Sequence, residues 1–369
     1  MLLAAVLVCT PLPVFAEHFR HHVQHASASP SSAIAIYLAA RNAYERTAES
    51  YWQSIADKRR ARFAKRRNGE TVKLDDYVLT QPPVYTGPPR PPGYIPPEKE
   101  PAPKPEPIPT IDDFLKAAAE QYGFVPDRPK TDAEFKLAYA KAASAAGLTR
   151  EQAVRVYAFE TGGNGTYDGQ AGIVGNRKDA RPISPAMGYN QLLSTNSVSL
   201  LAEHGDKLVN ALQAAHVAEP KIAMFKQMVA FSRTVPNAWS AHDKLAKTTP
   251  GGMGIHATML DRDIGPLLQT QKLLDSVVFA RAKGYQHTLT AAELELMNFT
   301  GDGNGFDLVT MPHEMRDKVP TSNFFQRAGY ERNPIARRTG TVAALFKSIE
   351  SKMDSASQAP GARELAAAF

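Results

Sequence analysis

Apolar positions repeat at helical spacing along most of the chain, and alternating strand patterns of useful length are scarce. Phe114, Leu115 and Ala118 mark one such face, and Leu294 and Met297 another. Threonine followed three residues later by an acid or amide recurs at Thr110-Asp113, Thr131-Glu134, Thr149-Gln152 and Thr290-Glu293. That spacing lets the hydroxyl cap one end of a helix while the acid or amide closes the box. The pattern predicts a mostly α domain over residues 110–350, and a flexible Ala- and Ser-rich tail over 351–369.

The N-terminal third reads differently. Residues 1–16 are apolar and end in Val14-Phe15-Ala16, the pattern of a cleaved signal peptide, although no Lys or Arg precedes the run. The run is too short to span a bilayer. The only cysteine, Cys9, falls inside it, so the mature chain is expected to have no disulfide framework. Export to the periplasm or the medium follows. Residues 17–81 form a basic, partly helical region. Its first part carries His18, His21, His22 and His25, read as a processed tail rather than a metal site, because no carboxylate or cysteine partner stands in a fixed geometry there.

Ile34, Tyr37, Leu38, Tyr44 and Trp52 suggest a helix over 31–67, ending in Lys58, Arg59, Arg60, Arg62, Lys65, Arg66 and Arg67. This run could dock on an anionic envelope surface or simply be solvated. Residues 82–109 are nearly half proline, which predicts an extended spacer without helix or central strand.

Composition narrows the chemistry. The 369 residues carry a mild formal charge of +6 and a 43% hydrophobic content ordinary for a packed core. No zinc-finger spacing, Walker loop or dinucleotide glycine pattern is present, so neither nucleic acid nor a nucleotide cofactor is expected.

The segment 149–163, TREQAVRVYAFETGG, carries the strongest candidate. Ala153, Val156, Tyr157 and Glu160 fall at i, i+3, i+4 and i+7, so Glu160 shares the apolar face. Gly162 and Gly163 supply the helix stop and place Glu160 in the last turn. Burial and the negative end of the helix dipole both disfavour its charge. A carboxyl kept protonated in this way suits a general acid for glycoside cleavage. A glycine-rich loop follows over 162–175, then Ser184-Pro185-Ala186-Met187-Gly188-Tyr189-Asn190-Gln191, read as a glycine entering a helix with an amide a turn inside. Amides donate and accept, as hydroxyl and N-acetyl groups require.

Glu160-Thr161-Gly162, together with Ser184 and Gly188-Tyr189-Asn190-Gln191, resembles the lysozyme-like lytic transglycosylases of bacterial envelopes. The resemblance covers residues 149–201. It implies a lysozyme-like helical fold and cleavage of the β-1,4 bond between N-acetylmuramic acid and N-acetylglucosamine in peptidoglycan strands. In that family one glutamate acts as acid and then base, the sugar's own hydroxyl attacks, and no cofactor or metal is needed. Glu160 would take that role, with Thr161, Ser184, Gly188, Tyr189, Asn190 and Gln191 at the glycan groove.

The family's later Tyr-Asn-x-Gly element is altered here to Met297-Asn298-Phe299-Thr300-Gly301, with Asn298 as the matching amide. A peptidoglycan-binding or scaffolding protein without catalysis is the alternative, and chitin an alternative polymer. Asp168 or Asp179 could serve a two-acid hydrolase. Asp302, Asn304 and Asp307 could ligate calcium, but the spacing departs from an EF-hand loop, and a polar loop is the simpler reading. Among Trp239, Tyr285, Phe324, Phe325 and Tyr330, most are expected in the core. Tyr330, in its polar setting, is the candidate for stacking on a sugar.

Overall fold

The structure is a computed structural model that describes residues 30–96, 107–173 and 180–369. The expected signal peptide, the histidine cluster and Asp179 lie outside the described residues. The chain is mostly α. Among the described residues, extended pairing is limited to isolated bridges such as Met187 with Leu192. None of the described helices is long and apolar enough to cross a membrane.

The described residues fall into two compact units. The smaller holds 30–46 and 84–96, and the larger holds 47–83, 107–173 and 180–369. Helix α1 (Pro30–Arg67) contributes to both. In the smaller unit Tyr37 and Tyr44 of α1 meet Tyr85 edge-on, and Arg41 lies over the Tyr85 ring at 4.8 Å. The proline-rich stretch forms no helix or strand in its described part, as proline's missing amide donor requires. It is nevertheless more than a spacer, because its tyrosines pack on α1.

The larger unit continues with α2 (Ile111–Tyr122), α3 (Asp132–Ala145), α4 (Arg150–Thr161), α5 (Ser194–Ala214), α6 (Glu219–Ser232), α7 (Trp239–Thr248) and α8 (Pro250–Ile255). Then come α9 (Gly265–Ala282), α10 (Ala291–Thr300), α11 (Asp302–Val309), α12 (His313–Arg316), α13 (Arg327–Arg332), α14 (Pro334–Thr339), α15 (Val342–Ala356) and α16 (Pro360–Ala367). Thr110, Thr149 and Thr290 each close a capping box at a helix start, and Thr131 caps α3 through the Glu134 amide. Helix α4 is central. It packs against α3, α10, α15 and α16 and buries Ala153, Val156 and Tyr157.

Two expectations need correction here. The C-terminal stretch from residue 351 does not fray: it completes α15 and forms α16, which buries Ala362 and Leu365. Sequence periodicity over so short and Ala-rich a segment understates the helix, because its stability comes from docking on α3 and α4. The basic run of α1 is largely turned inward. Arg62 is fully buried and pairs with Asp307 at 2.7 Å, Arg66 pairs with the other oxygen of Asp307 at 2.6 Å, and the Tyr77 hydroxyl donates to the same carboxylate. Lys65 pairs with Asp76, and Arg59 donates to the Asn323 and Phe325 carbonyls. These cations fasten α1 to the larger unit's core instead of presenting a free anion-binding face.

Candidate active site

Glu160 sits in the last turn of α4, which Gly162 ends in the left-handed conformation at φ 66°. Gly163 follows at φ 77°, and any Cβ there would stand 2.1 Å from the Ala356 carbonyl oxygen of α15. Glycine thus lets the C-terminal helices close over the chain just beyond Glu160. On the other side, Glu160 borders an open groove of about 660 Å³, whose walls include Gln191, Asn196, Trp239, Lys272 and Asn298. Glu160, Gln191 and Asn298, separated widely in sequence, therefore meet in one groove.

Behind the groove wall lies a residue that sequence reasoning missed. Glu295 of α10 is fully buried beside Glu160, on the helix that packs against α4. No amide, hydroxyl or cation among the described residues hydrogen-bonds either Glu295 oxygen. Burial, then the Glu160 charge, push the Glu295 carboxyl well above the ordinary carboxylate range. Burial also raises Glu160, opposed by the neighbouring Glu295 carboxyl and by the Lys352 charge. The Asn298 side-chain amide approaches Glu160 Oε1 at 3.5 Å. The signal for Glu295 was its place in the apolar run Leu294-Glu295-Leu296-Met297, three residues before Asn298 and so on the same helical face.

The other predicted groove residues divide. Gln191 lines the groove, but not as part of a helix. Residues 188–191 form a tight turn closed by the Met187–Leu192 bridge, and α5 begins only at Ser194. Gln191 itself has φ 43°, and its Nε2 donates to the Gly188 and Gly169 carbonyls at 2.8 and 3.2 Å. Its side chain thus holds the turn and leaves its carbonyl oxygen as the acceptor.

Asn190 borders the groove, yet its amide is turned inward to the Gln269 carbonyl and the Tyr139 hydroxyl. Tyr189 is buried, donates to Asp132 at 3.0 Å and packs edge-on against Tyr157, so it supports α4 rather than touching the groove. Gly188 is buried at φ 80°, where a Cβ would press on the Gln269 side chain. Thr161 Oγ1 donates back to the Tyr157 carbonyl, and Ser184 Oγ accepts from the Ala186 amide; neither lines the groove.

The aromatic expectation holds for Phe324 and Phe325, which are buried, and is reversed for Tyr330 and Trp239. Tyr330 is buried against Trp52 and Phe325, whereas Trp239, at the start of α7, is 53% exposed on the groove wall. A polar sequence neighbourhood misplaced Tyr330, because α1 arrives from far along the chain to cover it. Asp168 pairs with Arg128 outside the groove and is no second carboxylate for Glu160. Asp302, Asn304 and Asp307 belong to α11 and have separate partners, namely Ser276, the Thr300 carbonyl and the Arg62–Arg66 pair. Met297, at the place of the family's tyrosine, is fully buried.

No protein-family model matches the chain, and no curated protein or solved structure is significantly similar to it.

Proposed function

We propose that the protein is an exported, lysozyme-like lytic transglycosylase that cleaves β-1,4-linked peptidoglycan strands in the cell envelope, with Glu160 as the single acid and base. The observation that carries this reading is the half-buried Glu160 carboxyl opening onto a groove lined by side-chain amides, one exposed indole, Lys272 and Asp302. In the reaction, Glu160 gives its proton to the glycosidic oxygen as the bond to C1 breaks. The muramyl C6 hydroxyl then attacks C1 and returns a proton to Glu160, leaving a 1,6-anhydro end. Gln191, Asn196 and Asn298 supply donors and acceptors for N-acetyl groups, and Trp239 offers a flat face for a sugar ring.

Lys272 favours peptidoglycan over chitin, because lactyl and peptide carboxylates give the former an anionic character that the latter lacks. The test is clearing of purified peptidoglycan by wild type and by Glu160→Gln, with product masses read alongside. Glu160→Gln should lose at least about a hundredfold in rate, the usual scale of a general acid. Equal clearing would refute the assignment. Saturable sedimentation with peptidoglycan and no released fragment from wild type would identify a binding protein instead.

A further inference from the structure

Glu295 lacks the partners that a buried carboxylate needs. Both of its oxygens are sealed from solvent and meet no donor among the described residues, while α10 packs on α4 and, one turn on, brings Asn298 to Glu160, so that the Glu160 carboxyl is the neighbour that acts on Glu295. An ionised carboxylate in such a place would face another carboxyl with no donor to satisfy it. A neutral carboxyl has one O–H to donate, and Glu160 is the acceptor within reach.

The nearby cations act against this, but more weakly than burial and the Glu160 charge. Lys352 of α15 and Lys272 of α9 act on the pair through space, and the Lys352 ammonium rests 3.8 Å from the centre of the Phe159 ring. From α11, Asp302 accepts from Ser276 and Asp307 is held by Arg62 and Arg66. From α3, Lys136 is paired with Asp132 and with Glu364 of α16. The donors that converge on Glu160 are therefore neutral: the Glu295 carboxyl and the more distant Asn298 amide.

We propose that Glu295 is a positioning residue for Glu160: it stays protonated, and its O–H donates to Glu160 and steadies the carboxylate formed when Glu160 delivers its proton. The role in turnover rests on Glu160 being the acid, as proposed above. In the first half-reaction the Glu160 O–H bond breaks and its electron pair stays on the carboxylate. The proton goes to the leaving oxygen as its bond to C1 breaks. In the second, the C6 hydroxyl forms the new bond to C1 and its proton returns to Glu160. Glu295 keeps its own proton throughout. A hydrogen bond to a carboxylate is stronger than one to a neutral acid, so its effect grows as the charge develops. Burial raises Glu295 well above the ordinary range, and charge on Glu160 raises it further, so the proton is held on Glu295 as Glu160 ionises.

The opposite arrangement, an ionised Glu295 repelling charge on Glu160, predicts the opposite result for one substitution. The experiment is a carbon-13 titration of the full chain labelled at glutamate carboxyls, with the Glu160 and Glu295 signals assigned by their loss in Glu160→Gln and Glu295→Gln. Glu295→Gln keeps a neutral donor, so the Glu160 midpoint should move by less than about half a pH unit. Glu295→Met removes the donor at similar volume and should raise that midpoint by about one to two pH units. The Glu295 signal should stay that of a neutral acid while Glu160 titrates.

A fall of about one pH unit or more in Glu295→Gln would overturn the proposal, as would an unmoved midpoint in Glu295→Met. Should Glu295→Met not fold, the Glu295→Gln midpoint and the wild-type Glu295 signal decide alone. Activity separates the two readings. If the wild type clears peptidoglycan, the alkaline limb of its pH–rate profile should rise in Glu295→Met and hold in Glu295→Gln. An unmoved limb in Glu295→Met refutes the role of Glu295 while leaving Glu160 as the acid. A titration as expected with no cleavage by wild type refutes the enzyme and keeps the carboxyl pair.

Discussion

Two glutamates that share one buried site cannot both ionise without repulsion and loss of hydration. Glu160 and Glu295 are such a pair, and their shift has a sign that stability must follow. Both hold protons in the fold above the ordinary glutamate value of about 4.3. Between that value and the raised ones, the folded chain binds more protons than the unfolded chain, so stability falls as pH rises. The stabilisation from the neutral pair is fully present below the unfolded value and is lost as pH climbs through the folded values. Melting temperature followed across that range should therefore decline less steeply in Glu160→Gln, which has one fewer group to ionise there. A steeper decline in the variant would contradict burial as the cause of the shift.

At the scale of elements, the caps and the register of α4 were legible because they depend on residues three and four apart. Thr149, Gln152 and Gly162 act locally, and the structure places each in its expected role. The role of the basic run was not legible, because its partners are distant in sequence. Arg62 meets Asp307 across 245 positions, and only the fold makes that aspartate available. The same distance hid Trp52, which covers Tyr330. Removing one partner of a buried ion pair leaves the other charge uncompensated, at a cost of about 3–5 kcal/mol. In Arg62→Met the Asp307 charge keeps Arg66 and Tyr77 on Oδ1 and only Oδ2 is left unpaired, so the unfolding free energy in urea titration is expected to fall by the smaller amount of about 1–3 kcal/mol. Arg60→Met, at an exposed position paired with neighbouring Asp57, should change it by less than about 1 kcal/mol. If the two variants are equally stable, the Arg62–Asp307 clamp does not hold α1 in place.

At the scale of the whole molecule, the groove gathers residues from α4, α5 and the turn before it, α7, α9, α10 and α11. Glu160, Gln191 and Asn298 were legible as polar positions at helix ends and turns. Lys272 and Trp239 were not, since nothing near them in sequence points to a shared cavity. Their presence gives the groove a cation and a flat apolar face in addition to its amides. A cation on the wall discriminates by substrate charge: it attracts a lactyl or peptide carboxylate and gains little from a neutral chitin oligosaccharide. Lys272→Gln should consequently raise KM for peptidoglycan fragments about three- to tenfold, the span of a partly exposed charge contact. It should leave KM for N-acetylglucosamine oligomers within about twofold, where no carboxylate is available to meet it. The effect on peptidoglycan should shrink as salt is raised, because screening weakens a solvent-accessible pair. Parallel kinetics on the two substrates at low and high salt check this, and equal changes in KM for both would remove Lys272 from the recognition of substrate charge.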